Sequence, residues 1–498
     1  SFNRYLYTPH PTSHFPLLTM PSPESAPLLS QLQKKVNSLD VPFYAPGHKQ
    51  GEGIGEDLSN LLGKSVFKAD LPELPDLDNL FAPTGVIKEA QILAAETFGA
   101  DKSWFLVNGS SCGIIAAILA TCGEGDKIIL ARNIHKSAIS GLILSGAQPI
   151  FINPEYNPTI DLNLNITPQS LANALKLHPD AKAVMVVSPT YQGVCCDLKT
   201  IAQITDHYSI PLLVDEAHGA HFAFHPDLPP AALSLGADMA IQSTHKVLGA
   251  LTQASMLHLK SDRISYEKVD RALQLVQTTS PSYLLLASLD SARKQMATQG
   301  LDLLTKTLDL AATARKELDK IPNISVLDFP HSIPGCHWFD RTRLTVIVKD
   351  FGLTGYEIDD ILREKYAVTA ELPTLSQLTF IISIGNHREH INRLITAFQC
   401  LQSPSSTSLP LTPPPVTGNL AISPRKAFFA PTEIVSRKNA LDRLSADVIC
   451  PYPPGIPVLM PGELISQEVL DYLQTILDLG GTITGGSDDN LTTFRVLK

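Results

Sequence analysis

The sequence lacks the features that mark several classes of protein. Its seven cysteines include no C-x-x-C pair among 498 residues, which argues against a disulfide framework and against a zinc site. No run reaches the roughly 18 apolar residues that span a bilayer. Lys and Arg number 39 against 49 Asp and Glu, and no basic cluster indicates a nucleic-acid or membrane partner. We expect a cytoplasmic protein with reduced thiols and no bound metal.

What is present is the composition of a folded chain. Apolar residues make up 44% and charged residues 18%, which is too apolar for a disordered protein. Short apolar segments alternate with helical ones, which predicts a mostly parallel α/β sheet covered on both faces. Six segments have the pattern of strands: Trp104–Val107, Lys127–Leu130, Pro149–Ile152, Ala183–Val187, Pro211–Val214 and Met239–Gln242.

The composition changes along the chain and divides it into five parts. We predict a disordered tail over residues 1–30, with a transit-peptide fragment as the alternative. A large α/β domain at 31–300 and a small α/β domain at 301–402 follow. Residues 403–418 are nearly all Ser, Thr and Pro, which predicts a linker. The last part, 419–498, has the pattern of an α+β domain.

One candidate site lies where a strand ends in a turn of small residues, at Asn108-Gly109-Ser110-Ser111-Cys112-Gly113. Backbone N–H groups at the start of a helix, together with the hydroxyls of Ser110 and Ser111, would make a cradle for a phosphate. The spacing Gly109-x-Ser111-x-Gly113 also matches the nucleophile elbow of α/β-hydrolases. A tight turn without a ligand is the third alternative, and the segment alone does not choose between them.

Three further strand ends carry polar side chains. Asp215 ends an apolar strand, and a buried carboxylate there needs a cation such as a protonated ring nitrogen; an N-cap role is the alternative. Lys246 ends Ser243-Thr244-His245-Lys246, where an apolar setting would make the amine a nucleophile toward an aldehyde; reaching solvent is its alternative. His135 would stack on a planar ring or serve only the structure.

These strand ends converge on one crevice in a doubly wound sheet. A phosphate cradle, a partner for a planar ring, a carboxylate for a ring nitrogen and a lysine for an aldehyde suit one common cofactor, pyridoxal 5'-phosphate. The combination is therefore far more specific than any of the motifs alone.

Seven motifs are spread along the chain: Ala45-Pro46-Gly47-His48-Lys49, Pro83-Thr84-Gly85-Val86-Ile87-Lys88-Glu89-Ala90-Gln91, Asn133-Ile134-His135-Lys136-Ser137, Asp215-Glu216-Ala217-His218-Gly219, Ser243-Thr244-His245-Lys246, Thr278-Thr279-Ser280-Pro281-Ser282-Tyr283 and Pro453-Pro454-Gly455-Ile456-Pro457. Through these motifs the sequence resembles, from about Val41 to Lys498, the pyridoxal-phosphate-dependent ornithine/lysine/arginine decarboxylases, and it is most similar to their short bacterial and cyanobacterial members. The resemblance implies an aminotransferase-like (fold type I) large domain with a mostly parallel seven-stranded sheet, a small α/β domain and a C-terminal decarboxylase domain.

The resemblance also implies roles for individual residues. Lys246 would bind the cofactor aldehyde covalently, Asp215 would pair with the ring nitrogen, and His135 would stack on the ring. Lys246 or His245 would return a proton to the substrate. The segment around Thr279 would contact the cofactor phosphate bound in the neighbouring subunit. This contact implies a homodimer or higher even oligomer with shared active sites. Further cofactor contacts would come from Ser110, Ser111, Ala217, His218, Ser243 and His245.

The implied reaction is decarboxylation of a basic L-amino acid. A cationic side chain needs a carboxylate at the far end of its pocket, and the candidates are Glu371 and Glu463. Both lie in stretches that resemble parts of the family's substrate entrance, with ordinary surface acids as the alternative. The short members are usually taken as arginine decarboxylases. L-arginine conversion to agmatine in polyamine biosynthesis is therefore expected first, L-lysine conversion to cadaverine second, and L-ornithine third.

Two functions from other classes stay open at this point. A serine hydrolase would use Ser111, Asp215 and His245 in the chain order of an α/β-hydrolase, but it would leave Lys246 without a purpose. A protein that binds the cofactor without activity would act as a regulator or scaffold. A yellow cofactor absorbance that borohydride bleaches would argue against the hydrolase. Amine and CO₂ release from a panel of amino acids would argue against the inactive protein.

Overall fold

The computed structural model describes residues 22–402, 409, 414–415, 420–452 and 455–498. Residues 27–276 form ten α-helices and ten strands. The helices are α1 (Pro27–Val36), α2 (Glu56–Leu62), α3 (Lys64–Ala69), α4 (Val86–Phe98), α5 (Gly109–Thr121), α6 (Lys136–Ser145), α7 (Pro168–Leu177), α8 (Leu198–His207), α9 (Thr244–Val247) and α10 (Tyr266–Val276). The strands are β1 (Lys102–Leu106), β2 (Lys127–Ala131), β3 (Gln148–Ile152), β4 (Tyr156–Asn157), β5 (Leu162–Asn163), β6 (Ala183–Val187), β7 (Val194–Cys195), β8 (Leu212–Asp215), β9 (Met239–Gln242) and β10 (Ser255–Leu259).

Seven of these strands make one sheet in the order β1-β10-β9-β8-β6-β2-β3. Neighbours from β9 to β3 pair in parallel, whereas β10 runs antiparallel to both β1 and β9. The expected mostly parallel seven-stranded sheet is therefore confirmed. The seventh strand, β10, is absent from the sequence prediction, because its serine and histidine interrupt the apolar run by which the other strands are recognised.

The sheet is buried on both faces because its strands are apolar on both faces. On β8, Leu213 packs with α5, α6 and α10 in one cluster, while Leu212 and Val214 pack with α7 and α8 in the other. Each fully buried Leu or Val contributes about 1.5–3 kcal/mol relative to an exposed one. This double cover places the polar residues at the strand ends, where the helices leave room for a ligand.

Residues 283–399 continue with a long helix and a second, antiparallel sheet. The elements are α11 (Tyr283–Leu318), β11 (Ser325–Val326), β12 (Trp338–Phe339), β13 (Arg343–Ile347), α12 (Gly355–Tyr366), β14 (Leu372–Pro373), β15 (Gln377–Ile381) and α13 (Arg388–Gln399). The sheet has the order β11-β13-β15-β14, and β12 pairs with β7 of the first region. At 1.5 Å per residue, α11 extends about 54 Å, and its two ends pack into the cores of both regions.

Residues 420–498 form a third core around α16. Its elements are α14 (Pro424–Phe429), β16 (Thr432–Ser436), α15 (Arg437–Ala440), β17 (Cys450–Tyr452), α16 (Gln467–Asp478), β18 (Thr482–Thr484) and β19 (Thr493–Leu497). Strands β16 and β19 pair with each other, as do β17 and β18. Most of the predicted linker, 403–418, and part of the predicted tail, 1–21, lie outside the described residues.

The N-terminal helix α1 differs from the expected disordered tail, which extends to residue 30. The helix begins at Pro27, and its buried Leu28 and Leu32 pack against the long helix α11. Asp290 of α11 accepts hydrogen bonds from the backbone N–H groups of Leu28 (3.0 Å) and Leu29 (3.2 Å). A buried carboxylate thus satisfies the helix start, a tertiary contact that local composition does not reveal. Within the described residues, no helix has the length and apolarity to cross a membrane.

Candidate active site

The first wall of the site is the start of helix α5. Gly109 has φ 70°, a left-handed conformation that glycine adopts without strain, so the chain turns sharply from strand β1 into the helix. Helix α5 begins at Gly109, four residues before the helix that the apolar residues predict from Gly113 onward. Ser110 and Ser111 therefore lie in its first turn. The Ser243 hydroxyl donates to Ser110 Oγ at 2.7 Å. Two strand ends therefore present hydroxyls and helix N–H groups at one place, where an anion is stabilised.

Asp215 ends the central strand β8 and is buried. Its Oδ1 accepts a hydrogen bond from the Ala217 N–H at 3.1 Å. Burial raises the pKa of the Asp215 carboxyl, while the nearby Lys246 opposes this increase. The next residue, Glu216, accepts instead from Ala232 N–H and the Gln242 amide. Asp215 therefore faces the cavity as a carboxylate that a further positive charge would stabilise.

Lys246 follows β9 on the short helix α9. Burial lowers the pKa of its amine, whereas the charges of Asp215 and Glu371 act to raise it. The Nζ atom is 3.0 Å from Nε2 of His218 and 5.2 Å from the ring centroid of Tyr191. An amine in such a setting is available as a nucleophile.

His135 caps the start of helix α6 and lines the same cavity as Lys246. Its Nδ1 accepts from the Ser137 N–H at 3.2 Å, and burial lowers its pKa to about 4. Gly455 of the C-terminal region lies beside the ring, where an added Cβ would make an ordinary van der Waals contact with His135 Nε2 at 3.4 Å. Its φ of 83° is a left-handed conformation that glycine adopts without strain.

His245 is oriented by the backbone. Its Nδ1 lies 2.9 Å from the Ala254 carbonyl and donates to it. Burial lowers the pKa of the ring, so the neutral imidazole has its lone pair on Nε2. That nitrogen can accept and return a proton.

These residues line one cavity of about 290 Å³. It brings together nine of the residues expected from the sequence: Ser110, Ser111, His135, Asp215, Ala217, His218, Ser243, His245 and Lys246. A larger cavity of about 460 Å³ adjoins it and shares Asn133, Val187 and Tyr191 with it. The roles of the nine residues stay predictions, but their convergence at the strand ends is observed.

Three expected site residues lie outside that lining. Thr279 is exposed on the loop between α10 and α11. Glu371 is also exposed, yet its charge acts on Lys246, Arg343 and Tyr191, so it lies near the opening. Of these three residues, Glu463 alone has a position that does not suit contact with a substrate.

Glu463 is 2% exposed and pairs with the buried Arg132 at 3.2 Å. Its Oε2 also accepts from the Met460 N–H at 2.9 Å. Arg132 in turn donates to the Pro457 and Val458 carbonyls. The expected position at the substrate entrance is therefore corrected, because this carboxylate joins the C-terminal region to the end of strand β2.

We expect Glu463→Gln to destabilise the protein by about 3–5 kcal/mol, because removing one partner leaves a buried charge uncompensated. The measurement is the free energy of unfolding from urea denaturation. Glu364→Gln, which changes an exposed acid on α12, serves as the control and should stay within about 0.5 kcal/mol. A loss below about 1 kcal/mol for Glu463→Gln would contradict the structural role.

Two further residues at the site have no local sequence signal. Tyr191 packs against His218 with ring centroids 4.4 Å apart. Arg343 of β13 is fully buried and donates from Nη2 to the His218 carbonyl at 2.9 Å. Both come from segments distant from the strand-end motifs, so only the fold brings them together.

The chemistry of the cavity matches pyridoxal phosphate group by group. The start of α5 and its serines suit the phosphate, Asp215 suits the ring nitrogen, and Lys246 suits the aldehyde. The uncharged His135 ring suits a contact with an aromatic face.

Comparison with known proteins agrees with this fit. A family model described as "Orn/Lys/Arg decarboxylase, major domain" matches residues 26–334, and the model of the C-terminal domain of the same family matches residues 418–488. The chain belongs to the Orn/Lys/Arg decarboxylase family. It is accordingly an amino-acid decarboxylase of the arginine/lysine/ornithine type, with pyridoxal phosphate as its cofactor.

Individual relatives support both the family and the fold. The "Arginine decarboxylase" of Bacillus subtilis is 41% identical over 488 residues, 96% of this chain and 99% of the relative. The crystal structure of the Francisella novicida lysine decarboxylase LdcF has a TM-score of 0.81 at 23% identity, covering 95% of this chain and 81% of that one. An alanine–glyoxylate aminotransferase from Nostoc has a TM-score of 0.51 at 18% identity, covering 63% and 85%. The aminotransferase-like fold is therefore confirmed.

Proposed function

We propose that the chain decarboxylates L-arginine to agmatine and carbon dioxide, with L-lysine as the alternative substrate. The observation that carries the chemistry is the Lys246 amine, which lies in the cavity with a lowered pKa beside the buried Asp215. The choice of arginine is supported by the Bacillus subtilis relative, whose name is arginine decarboxylase. The family description includes lysine and ornithine, which keeps them as alternatives.

Pyridoxal phosphate, when bound, supplies an electron sink for the pair released from the Cα–carboxylate bond. The chain supplies the groups around it. Lys246 provides the amine that binds the aldehyde, and the Asp215 charge favours a proton on the ring nitrogen. His245 and Lys246 are the candidates to deliver a proton to Cα once carbon dioxide has left. Ser110, Ser111 and Ser243 would donate hydrogen bonds to the phosphate.

The adjoining cavity offers room for the substrate's side chain. Asn133 lines both cavities and is buried, and its Oδ1 has no hydrogen-bond partner within the described residues. A guanidinium or ammonium N–H would satisfy that acceptor. The Glu371 charge near the opening would attract the same cationic group. Both features favour a basic amino acid.

A substrate panel tests the proposal. We expect kcat/KM for arginine to exceed that for lysine or ornithine by at least about tenfold, because a pocket discriminates chain length by about 1–3 kcal/mol. Mass spectrometry identifies the amine. Glu371→Gln should raise KM for arginine about three- to tenfold with kcat unchanged, a modest effect because the carboxylate is exposed. A faster reaction with lysine would overturn the substrate assignment, and no amine from any of the three would overturn the activity.

The same proposal includes a homodimer with shared active sites. Thr279 lies outside the cavity of its own chain, which fits a contact with the neighbouring subunit. Near the N-terminus, Leu39 and Phe43 are 100% and 93% exposed, and a second copy would cover them. Light scattering in solution tests this assembly.

The remaining expectations also belong to the proposal. All seven cysteines are free thiols, which supports a cytoplasmic location. Agmatine formation would place the enzyme in polyamine biosynthesis.

The division into a large domain at 31–300, a small domain at 301–402 and a C-terminal domain at 419–498 is supported by three separate hydrophobic cores. We propose that the large domain begins at Pro27 rather than at residue 31, because the buried side chains of α1 pack in its core.

A further inference from the structure

Arg343, His218 and Lys246 form a hydrogen-bonded line that joins the antiparallel sheet to the cofactor pocket. Nη2 of Arg343 is 3.3 Å from Nδ1 of His218, and Nε2 of the same imidazole is 3.0 Å from Nζ of Lys246. Arg343 is fully buried, and His218 is 3% exposed. The Arg343–His218 end of the line is therefore shielded from water, whereas Lys246 at the other end lines the cavity.

The chemistry of arginine decides where the histidine proton lies. A guanidinium only donates hydrogen bonds and does not lose its proton in proteins. Nδ1 of His218 must therefore accept, so the hydrogen of the neutral ring is on Nε2. An Nε2–H group can only donate to Lys246, and the amine can accept only with a lone pair, which an ammonium lacks.

We propose that Arg343 is a positioning residue that fixes the His218 hydrogen on Nε2 and thereby holds the Lys246 amine uncharged until it binds the cofactor. This inference rests on the proposed role of Lys246. It assigns Arg343 a function in capture of the cofactor aldehyde, to which an uncharged amine adds and an ammonium does not.

Burial and the nearby charges have opposing effects on the protonation of the Lys246 amine. The charges of Asp215 and Glu371 favour the ammonium form, whereas burial and the charge of Arg343 favour the uncharged amine. The His218 pKa lies well below its usual value because of burial and the nearby positive charges of Lys246 and Arg343. A neutral His218 is the state that the line requires.

Three other ionisable side chains face the same cavity. They are Tyr191, whose ring lies 5.2 Å from the Lys246 amine, together with His135 and His245, whose pKa values are lowered. None of them lies between Arg343 and Lys246. The arginine donor therefore reaches the amine through His218, and its effect can be separated from theirs by substitution.

Measurement of the His218 tautomer in the unaltered protein tests the proposal without changing Arg343, His218 or Lys246. Nitrogen NMR of the full-length, cofactor-free protein labelled with ¹⁵N-histidine distinguishes a protonated from an unprotonated Nε2. The His218 signals are identified by their loss in His218→Gln. We expect hydrogen on Nε2 at neutral pH. Hydrogen on Nδ1, or a doubly protonated ring, would overturn the inference.

A matched pair of variants separates the donor from the charge. Arg343→Met removes both, whereas Arg343→Gln removes the charge but keeps an N–H donor. The readout is the rate constant with which added pyridoxal 5'-phosphate is bound, followed by stopped-flow absorbance across pH. We expect Arg343→Met to lower that rate at pH 7 about tenfold, equivalent to one pKa unit in the amine. Arg343→Gln should stay within about threefold of the unaltered protein.

Each remaining outcome has a defined meaning. Equal effects of Met and Gln, or no effect of either, would overturn the role of the Arg343 donor. If Arg343→Met does not fold, as circular dichroism would show, the tautomer of the unaltered protein still decides. Failure of the proposed role of Lys246 is distinguishable, because it would appear as unchanged cofactor binding in Lys246→Ala, and failure of the proposed activity would appear as no amine from any of the three substrates.

Discussion

Lys246→Ala is expected to abolish decarboxylation, with a loss in kcat of at least about four orders of magnitude. The amine has two proposed tasks, since it binds the cofactor aldehyde and is a candidate to deliver the proton to Cα. Acid–base catalysis alone contributes about 10²–10⁴-fold, and loss of covalent binding adds to that. The measurement is single-turnover release of carbon dioxide from arginine.

A neighbouring lysine provides the control for this variant. Lys136 is exposed beside His135, so Lys136→Ala should keep kcat within about threefold of the unaltered enzyme. Borohydride reduction of the unaltered enzyme should fix the cofactor to the peptide that contains Lys246, as mass spectrometry would detect. Near-normal turnover in Lys246→Ala would overturn the whole assignment of the site.

The sequence predicts those site residues that lie in recognisable local patterns, at the ends of strands and the start of a helix. Asp215 is the last residue of an apolar strand, Lys246 lies four residues after another, and Ser110 lies in the first turn of a helix that begins with small residues. Because parallel strands deliver their ends to one edge of a sheet, their meeting follows from the fold class. The cavity contains all three.

The residues that sequence does not reveal reach the site through long-range packing. Arg343 lies on a strand of another sheet, 125 residues after the histidine that it contacts. Glu463 lies in a stretch that resembles the family's substrate entrance, yet Arg132, 331 residues earlier, holds it in a buried pair. Charge pattern alone cannot distinguish a carboxylate that faces a substrate from one that faces a buried arginine, because both depend on tertiary contacts.

Helix boundaries show the same distinction. The sequence patterns predict helices at Pro168–Leu177, Leu198–His207, Gly355–Tyr366 and Gly113–Thr121. Helices α7, α8 and α12 have the predicted bounds, and a side-chain cap at Thr167, Asp197 or Thr354 defines each start. Helix α5 begins at Gly109, four residues before its predicted start. Its first three residues are one glycine and two serines, which have low helix propensity. That turn forms at the edge of the cofactor pocket, a position whose tertiary contacts override propensity.

Asp215→Ala is the second change with a large expected effect. The carboxylate is buried at the end of β8, so in the loaded enzyme its charge would be paired with a proton on the cofactor ring. Removing one partner of a buried charge pair costs about 3–5 kcal/mol. At about 1.4 kcal/mol per factor of ten, we expect kcat/KM to fall by about 10²–10⁴-fold. Steady-state kinetics with arginine provides the measurement.

The isosteric Asp215→Asn identifies the charge as the cause. It keeps the shape and the hydrogen bond from the Ala217 N–H but cannot stabilise a positive ring, so it should lose nearly as much activity as Asp215→Ala. Both variants should still bind some pyridoxal phosphate through Lys246, as the absorbance of the desalted protein would show. Kinetics of Asp215→Asn close to those of the unaltered enzyme would show that the carboxylate does not pair with the ring nitrogen. A loss of cofactor with no change in the activity of the loaded fraction would instead limit Asp215 to binding.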